Sequence, residues 1–182
     1  RDVLDNDAVS VVLKEREVDT FLKNTGIQPA LAITDSQVFT KADSSIPPDI
    51  PLTSFSIVLA RFKGDFESYL KGTPAISNLQ DGDRVLLLES CTHHVSCDDI
   101  GRVKIPRWIS NFTGKDLGYE VVAGLNDLPR AITEYALVIQ CGGCMITRKQ
   151  LTNRIRPAVE AGVPVTNYGM AIAYVPGIYH RA

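Results

Sequence analysis

The chain has 182 residues, 45% of them hydrophobic and 22% charged, which is enough length for one or two domains with a buried core. No stretch approaches the run of about 20 apolar residues that crosses a bilayer, and no charged-then-apolar leader opens the sequence, so neither a membrane span nor a secretory signal is expected and a cytoplasmic home is. The net charge of −2 hides an asymmetry: residues 1–83 carry 8 Lys and Arg against 13 Asp and Glu, and residues 84–182 carry 11 against 8.

Residues 8–13 (AVSVVL) read as a strand, and residues 15–25 follow as a helix with Val18, Phe21 and Leu22 on one face and Gly26 as its C-terminal cap. A second strand is expected at residues 31–34, then a short polar helix to Ala42. Pro47, Pro48 and Pro51 force an extended loop, because each proline disfavours helix at the residue before it. Leu52, Phe55, Leu59 and Phe62 then recur with helical spacing and form one apolar stripe, which either packs on its own domain or meets a second subunit. Asp65 caps a turn with Phe66, Tyr69 and Leu70 inward, Gly72 and Pro74 end it, and the polar turn at residues 80–83 marks the expected domain boundary.

Residues 84–89 (RVLLLE) form a near-continuous apolar run, as a buried parallel strand requires. Pro106 suits the first turn of a helix with Ile105, Trp108, Ile109 and Phe112 on one face, ended by Gly114. Residues 119–123 give a strand, residues 128–135 a short helix, and residues 136–140 (ALVIQ) another strand. Thr147 and Gln150 have capping-box spacing ahead of a helix with Leu151, Ile155 and Val159 buried; residues 163–166 make a last strand before a helix at residues 170–174. Strands alternating with helices predict an α/β fold of two small βαβ, Rossmann-like domains with mainly parallel sheets, at residues 1–83 and 84–182. In such a sheet the loops that leave the C-terminal strand ends share one edge, so the loops after Glu89 and after Gln140 are expected to meet.

Those two loops hold the chemistry. Four cysteines, two of them as C-x-x-C, point to metal or redox chemistry rather than to a disulfide framework. Cys91, Cys141 and Cys144 are three soft thiolates, His93 is a nearby imidazole, and Gly142 with Gly143 leaves backbone room for a bulky inorganic group. As buried small hydrophobes, two cysteines flanking Gly-Gly at a strand end have little packing logic. Zinc would want four closed ligands and could recruit His93 or Cys97, whereas a 4Fe-4S cluster tolerates three thiolates and a weaker fourth ligand; the residue types alone fit either. Cys97 reads as a non-ligand, and His94, Glu89, Asp98 and Asp99 as hydrogen-bonding or helix-starting residues able to offer a labile ligand. The rival chemistry is that of a dithiol oxidoreductase with Cys141 as nucleophile and Cys144 as resolving thiol.

Other patterns carry less. Thr40-Lys41-Ala42-Asp43 and Asp98-Asp99-Ile100-Gly101 resemble nucleotide-reading signatures, but no G-x-x-x-x-G-K-[ST] loop accompanies them, so this stretch is not expected to hydrolyse GTP or to be an enzyme. The basic residues Arg102, Lys104, Arg107, Arg148, Lys149, Arg154 and Arg156 lack interleaved aromatics, which excludes a nucleic-acid reading and leaves a solvated face or a protein-docking surface.

The pattern Cys-x-His, 46 intervening residues, then x-Cys-x-x-Cys resembles the iron–sulfur motif of HydF, the maturation GTPase family of the (FeFe) hydrogenases. Residues 86–94 (LLLESCTHH), 98–108 (DDIGRVKIPRW), 138–145 (VIQCGGCM) and 161–174 (AGVPVTNYGMAIAY) are similar to its C-terminal domain, and residues 49–64 (DIPLTSFSIVLARFKG) to its dimerisation domain. The resemblance implies a 4Fe-4S cluster on Cys91, Cys141 and Cys144 with His93 as fourth candidate, a transient two-iron subcluster precursor as cargo, and a homodimer as the working form. It implies apo-hydrogenase and radical-SAM maturases as partners, no nucleic acid or membrane, and GTP acting only through the family's N-terminal GTPase domain. That domain is not in this sequence, which opens with Arg1-Asp2-Val3 and no initiator Met, so a fragment is expected. Where the family usually has a second His before C-x-x-C, this chain has Gln140, whose neutral amide is a poor ligand for iron.

Overall fold

The computed structural model describes residues 5–90 and 99–181, so Cys91, His93, His94, Cys97 and Asp98 lie outside the described residues. Two parallel sheets organise the chain. In the first, β1 (Ala32–Thr34) pairs with β2 (Leu52–Ser54), Ala32 opposite Leu52. In the second, β3 (Arg84–Leu88), β4 (Gly118–Val122), β5 (Leu137–Gln140) and β6 (Val165–Asn167) lie in the order β4-β3-β5-β6, with every neighbouring pair parallel. Parallel strands need crossovers, and the α/β pattern of the sequence supplies them. The helices are α1 (Val18–Thr25), α2 (Phe39–Ser45), α3 (Phe55–Lys63), α4 (Phe66–Gly72), α5 (Ile105–Thr113), α6 (Arg148–Glu160) and α7 (Tyr168–Tyr174).

The second sheet is covered on both faces, which is why β3 and β5 read as unbroken apolar runs. Val85 and Leu87 of β3 and Leu137 and Ile139 of β5 pack on Ile105 and Ile109 of α5 and on Ala171 and Ile172 of α7. Leu86, Leu88 and Val138 face the other way, onto Leu151, Ile155 and Ala158 of α6, Ile57 and Ala60 of α3, and Tyr69 of α4. Each fully buried Val, Leu or Ile among them contributes about 1.5–3 kcal/mol. The local signals agree with the tertiary result: Gly114 caps α5 in the left-handed region, and the Thr147–Gln150 capping box starts α6.

The two sheets are locked together by elements that serve both. Residues 168–173 of α7 are all buried, and Ala173 joins Phe39, Ile46, Ile50 and Leu52 in the core of the first sheet. A helix buried on every side is apolar on every side. At its start, Gly169 N donates to Ser56 Oγ at 3.1 Å, joining α7 to α3. α4 and the turn that follows it lie against the second sheet, so closely that a β-carbon on Gly72 would sit 2.1 Å from the Val165 carbonyl oxygen. Near the C-terminus, Arg181 donates to the Asp43 carboxylate at 2.6 Å and to the Pro47 and Ile50 carbonyls.

Five expectations are corrected. Residues 8–13 form no strand: Val9 and Val12 are exposed, and no described segment lies beside them to complete a ladder. Leu52 belongs to β2 rather than to the following helix, which Ser54 caps by accepting from Ile57 N at 3.4 Å. The buried positions of that helix are therefore Ile57 and Ala60, while Phe55 and Phe62 are 62% and 70% exposed. Residues 128–135 hold only a 3-10 turn at Ile132–Glu134, since Pro129 disfavours helix at Leu128 and leaves too short a run. On α6 the third buried residue is Ala158, one position before the expected Val159, and on α4 Leu70 is exposed.

No described helix is long and apolar enough to cross a membrane.

Candidate functional site

From β3 the chain goes to β4 on one side, and from β5 to β6 on the other, so the strand order reverses between β3 and β5. In an open parallel sheet the crevice outside the C-terminal strand ends at such a reversal is the place where ligands bind. The ends are level here: Leu88 lies opposite Gln140, and Gln140 opposite Asn167. A cavity of about 350 Å³ opens at that edge, and its walls include Glu89, the whole Cys141-Gly142-Gly143-Cys144 turn, Gly101, Tyr168, and Phe55, Ser56 and Leu59 of α3.

The two site loops touch. Ser90 N donates to Cys141 Sγ at 3.1 Å, and the Cys141 thiol donates to Ser90 Oγ at 2.9 Å. Gln140, fully buried, braces the same junction: its Nε2 donates to Ser90 Oγ at 3.0 Å and to the carbonyls of Leu88 and Cys141 at 3.2 Å each, while its Oε1 has no partner. Cys141 is half-buried, Cys144 is exposed, and both are free thiols. The turn between them depends on Gly143, which sits at φ +68°; a β-carbon there would also fall 2.4 Å from Leu151 Cδ1. Gly142 has only ordinary contacts and leaves the cavity wall thin.

Lys63, at the end of α3, clamps this turn from the first half of the chain by donating to the Gly143 and Ile146 carbonyls at 3.1 Å each. Arg154 of α6 donates to the Glu89 carbonyl at 2.7 Å and to the Val122 carbonyl, fixing the ends of β3 and β4. Burial lowers the pKa of this guanidinium, and the nearby Cys141 sulfur opposes that shift. Glu89 is buried with both carboxylate oxygens taken by Arg102, at 2.9 to 3.2 Å. Asp99 Oδ1 caps the turn into α5, accepting from Gly101 N and Arg102 N at 2.9 Å each. Burial pushes the Tyr168 phenol well above its ordinary pKa, and the Cys141 sulfur and the Glu89 and Asp99 carboxylates around it add to the shift.

Among the described residues no three His, Cys, Asp or Glu side chains converge as a metal-ligand group. The two described thiols, Cys141 and Cys144, are soft donors of the type that an iron–sulfur group takes. Two soft thiols line one cavity, N–H donors face the sulfur of Cys141, and a glycine pair keeps the wall thin. Cys91 and His93, the other expected ligands, lie outside the described residues, but the residue before Cys91 touches Cys141 Sγ, and Asp99 beyond them lines the cavity. The nucleotide-like patterns have structural uses: Lys41 pairs with Glu15, Asp43 with Arg181, and Asp99 is a cap.

Residues 1–64 match the family model of the hydrogen maturase F dimerization domain, and residues 67–182 match that of the hydrogen maturase F tetramerization domain. The chain belongs to the hydrogen maturase F family. A comparison with curated proteins finds no match. Membership places the chain in hydrogenase maturation, and both matched domains of hydrogen maturase F are self-association modules. The exposed Phe55 and Phe62 fall in the dimerization match, the two thiols in the tetramerization match, and the cavity draws walls from both.

Proposed function

We propose that this chain is the scaffold and carrier part of a hydrogen maturase F: Cys91, Cys141 and Cys144, with His93 as fourth candidate, hold a 4Fe-4S cluster within residues 84–182. A two-iron subcluster precursor, built by radical-SAM maturases, is the cargo and apo-(FeFe) hydrogenase the recipient. Residues 1–83 make the homodimer, and GTP acts through a further domain of the whole protein. When bound, the cluster would supply an iron with an exchangeable ligand.

The observation that carries this reading is the Ser90–Cys141 contact at the strand-order reversal, because it brings the chain leading to Cys91 against the first cysteine of C-x-x-C. The chain's own groups then have separable tasks. Ser90 N–H donates to the sulfur of Cys141, a hydrogen bond that would orient that sulfur when it holds a metal. Arg154 adds positive charge beside it. The Nε2 end of Gln140 braces the two loops and its neutral amide oxygen is a poor ligand for iron, which supports leaving the fourth position to His93 or a displaceable ligand.

The geometry speaks against a dithiol oxidoreductase. Its attacking cysteine is accessible and sits in the first turn of a helix whose dipole lowers the thiol pKa. Here Cys141 is the more buried of the pair, and α6 begins at Arg148, beyond Cys144. The test is anaerobic reconstitution with iron and sulfide beside an insulin-disulfide reduction assay. The scaffold reading expects a brown protein without reductase activity; a colourless protein that reduces insulin would overturn it.

A further inference from the structure

The cavity contains a donor that the reading above leaves without a task. Tyr168, the first residue of α7, is 6% exposed and lines the cavity, yet its hydroxyl has no hydrogen-bond partner. The ring packs in the core with Ala171 and Ile172, a job phenylalanine would do without burying an unpaired O–H. Nearby acceptors are committed elsewhere, Glu89 to Arg102 and Asp99 Oδ1 to the main-chain N–H groups of Gly101 and Arg102. The space before the hydroxyl is kept open by Gly101, where a β-carbon would fall 2.4 Å from Tyr168 Oη and 2.9 Å from Glu89 Oε1.

We infer that the Tyr168 hydroxyl donates a hydrogen bond to a small anion with an exposed lone pair, carried on the group that Cys141 and Cys144 hold. The inference rests on the metal-site reading above and adds to it a recognition residue for a non-protein ligand. A free anion finds no cation in the described lining to hold it: the charged residues of the cavity wall are Asp35, Glu89 and Asp99, and Glu89 is already paired with Arg102. The anion must arrive attached to a positive centre. The described cations at this edge are engaged elsewhere: Arg102 with Glu89, Arg154 with main-chain carbonyls, and Lys63 with the Gly143 and Ile146 carbonyls. Among the described residues that line the cavity, the rigidly packed Tyr168 phenol is the unpartnered buried donor.

The test uses the full chain reconstituted anaerobically with iron and sulfide, as wild type, Tyr168→Phe and Gly101→Ala, and cyanide as the probe. Iron and sulfide content, an EPR titration with cyanide, and the infrared C≡N stretch are read together. Tyr168→Phe should keep its iron, bind cyanide about tenfold more weakly, the loss of one charge-assisted hydrogen bond, and shift the stretch. Gly101→Ala, with the hydroxyl present but crowded, should weaken cyanide binding as well. Full iron with unchanged affinity and stretch in Tyr168→Phe overturns the inference and leaves the metal site standing. A wild-type chain that takes up no iron overturns both.

Discussion

In the four-stranded sheet, β3 presents Val85, Leu86, Leu87 and Leu88 to helices on both faces and buries all four; across the molecule, α3 turns Phe55, Val58 and Phe62 to solvent, and β1 leaves Ile33 exposed. Both regions are parallel α/β units with similar local signals. The difference lies in what covers them. A two-stranded sheet is marginal alone, and this one stands by borrowing Ala173 of α7 and the Arg181 anchor from the second region. Its remaining apolar face, at positions i, i+3 and i+7 of α3, suits a second chain, in keeping with the dimerization match. One region completes its core and spends its loops on a site; the other leaves its face open for association.

The largest expected effect separates the site from everything else. Cys141→Ser and Cys144→Ser, like Cys91→Ser, should each abolish retention of iron after reconstitution and desalting, while Cys97→Ser keeps it; wild-type iron content in any of the first three breaks the assignment. Next comes the contrast between the regions themselves. Leu86→Ala should cost about 2–5 kcal/mol in urea unfolding, because it opens a cavity in a filled core. Phe62→Ser should change monomer stability by no more than about 0.5 kcal/mol and lower the mass seen by light scattering. A Phe62→Ser chain as destabilised as Leu86→Ala, with unchanged mass, would erase the distinction.

Smaller effects sharpen the link between the regions. Lys63→Met removes two hydrogen bonds to the cysteine turn and should cost about 1–3 kcal/mol, with faster hydrogen exchange at the Ile146 amide; unchanged exchange would mean that α3 does not hold the turn. The smallest effect concerns acid. The Tyr135 hydroxyl, and after it Arg130, hold the Glu120 carboxyl below its usual range. A carboxyl with a lowered folded pKa stabilises above its unfolded pKa and loses that contribution as pH falls through the folded value. Glu120→Gln should therefore flatten the acid limb of the stability curve and leave the limb above neutrality alone, and an equal acid limb in both proteins would remove Glu120 from the account.

Much of the second region is legible locally. Pro106 and Gly114 bracket α5, Thr147 and Gln150 open α6, and two apolar runs ending in cysteine loops imply neighbouring strand ends that meet. The first region misleads because its patterns are short. Leu52 fits a helical stripe only if Ser54 is overlooked as the cap, and the apolar residues 8–13 read as a strand though a strand exists only with a neighbour. Within the site, Cys141 and Cys144 announce themselves, Gln140 and Arg154 stand out without showing what they brace, and Lys63 and Tyr168 leave no signal. Their roles come from contacts between segments far apart in sequence, such as Lys63 with Gly143 and Arg154 with Glu89, where no local spacing leaves a trace.

Metal analysis tests the central claim most directly. The chain is reconstituted anaerobically with iron, sulfide and zinc all offered, desalted, and assayed for all three. The scaffold account predicts about four irons and four sulfides per chain with no stoichiometric zinc. One zinc per chain without sulfide, the signature of a closed four-ligand site, would contradict it.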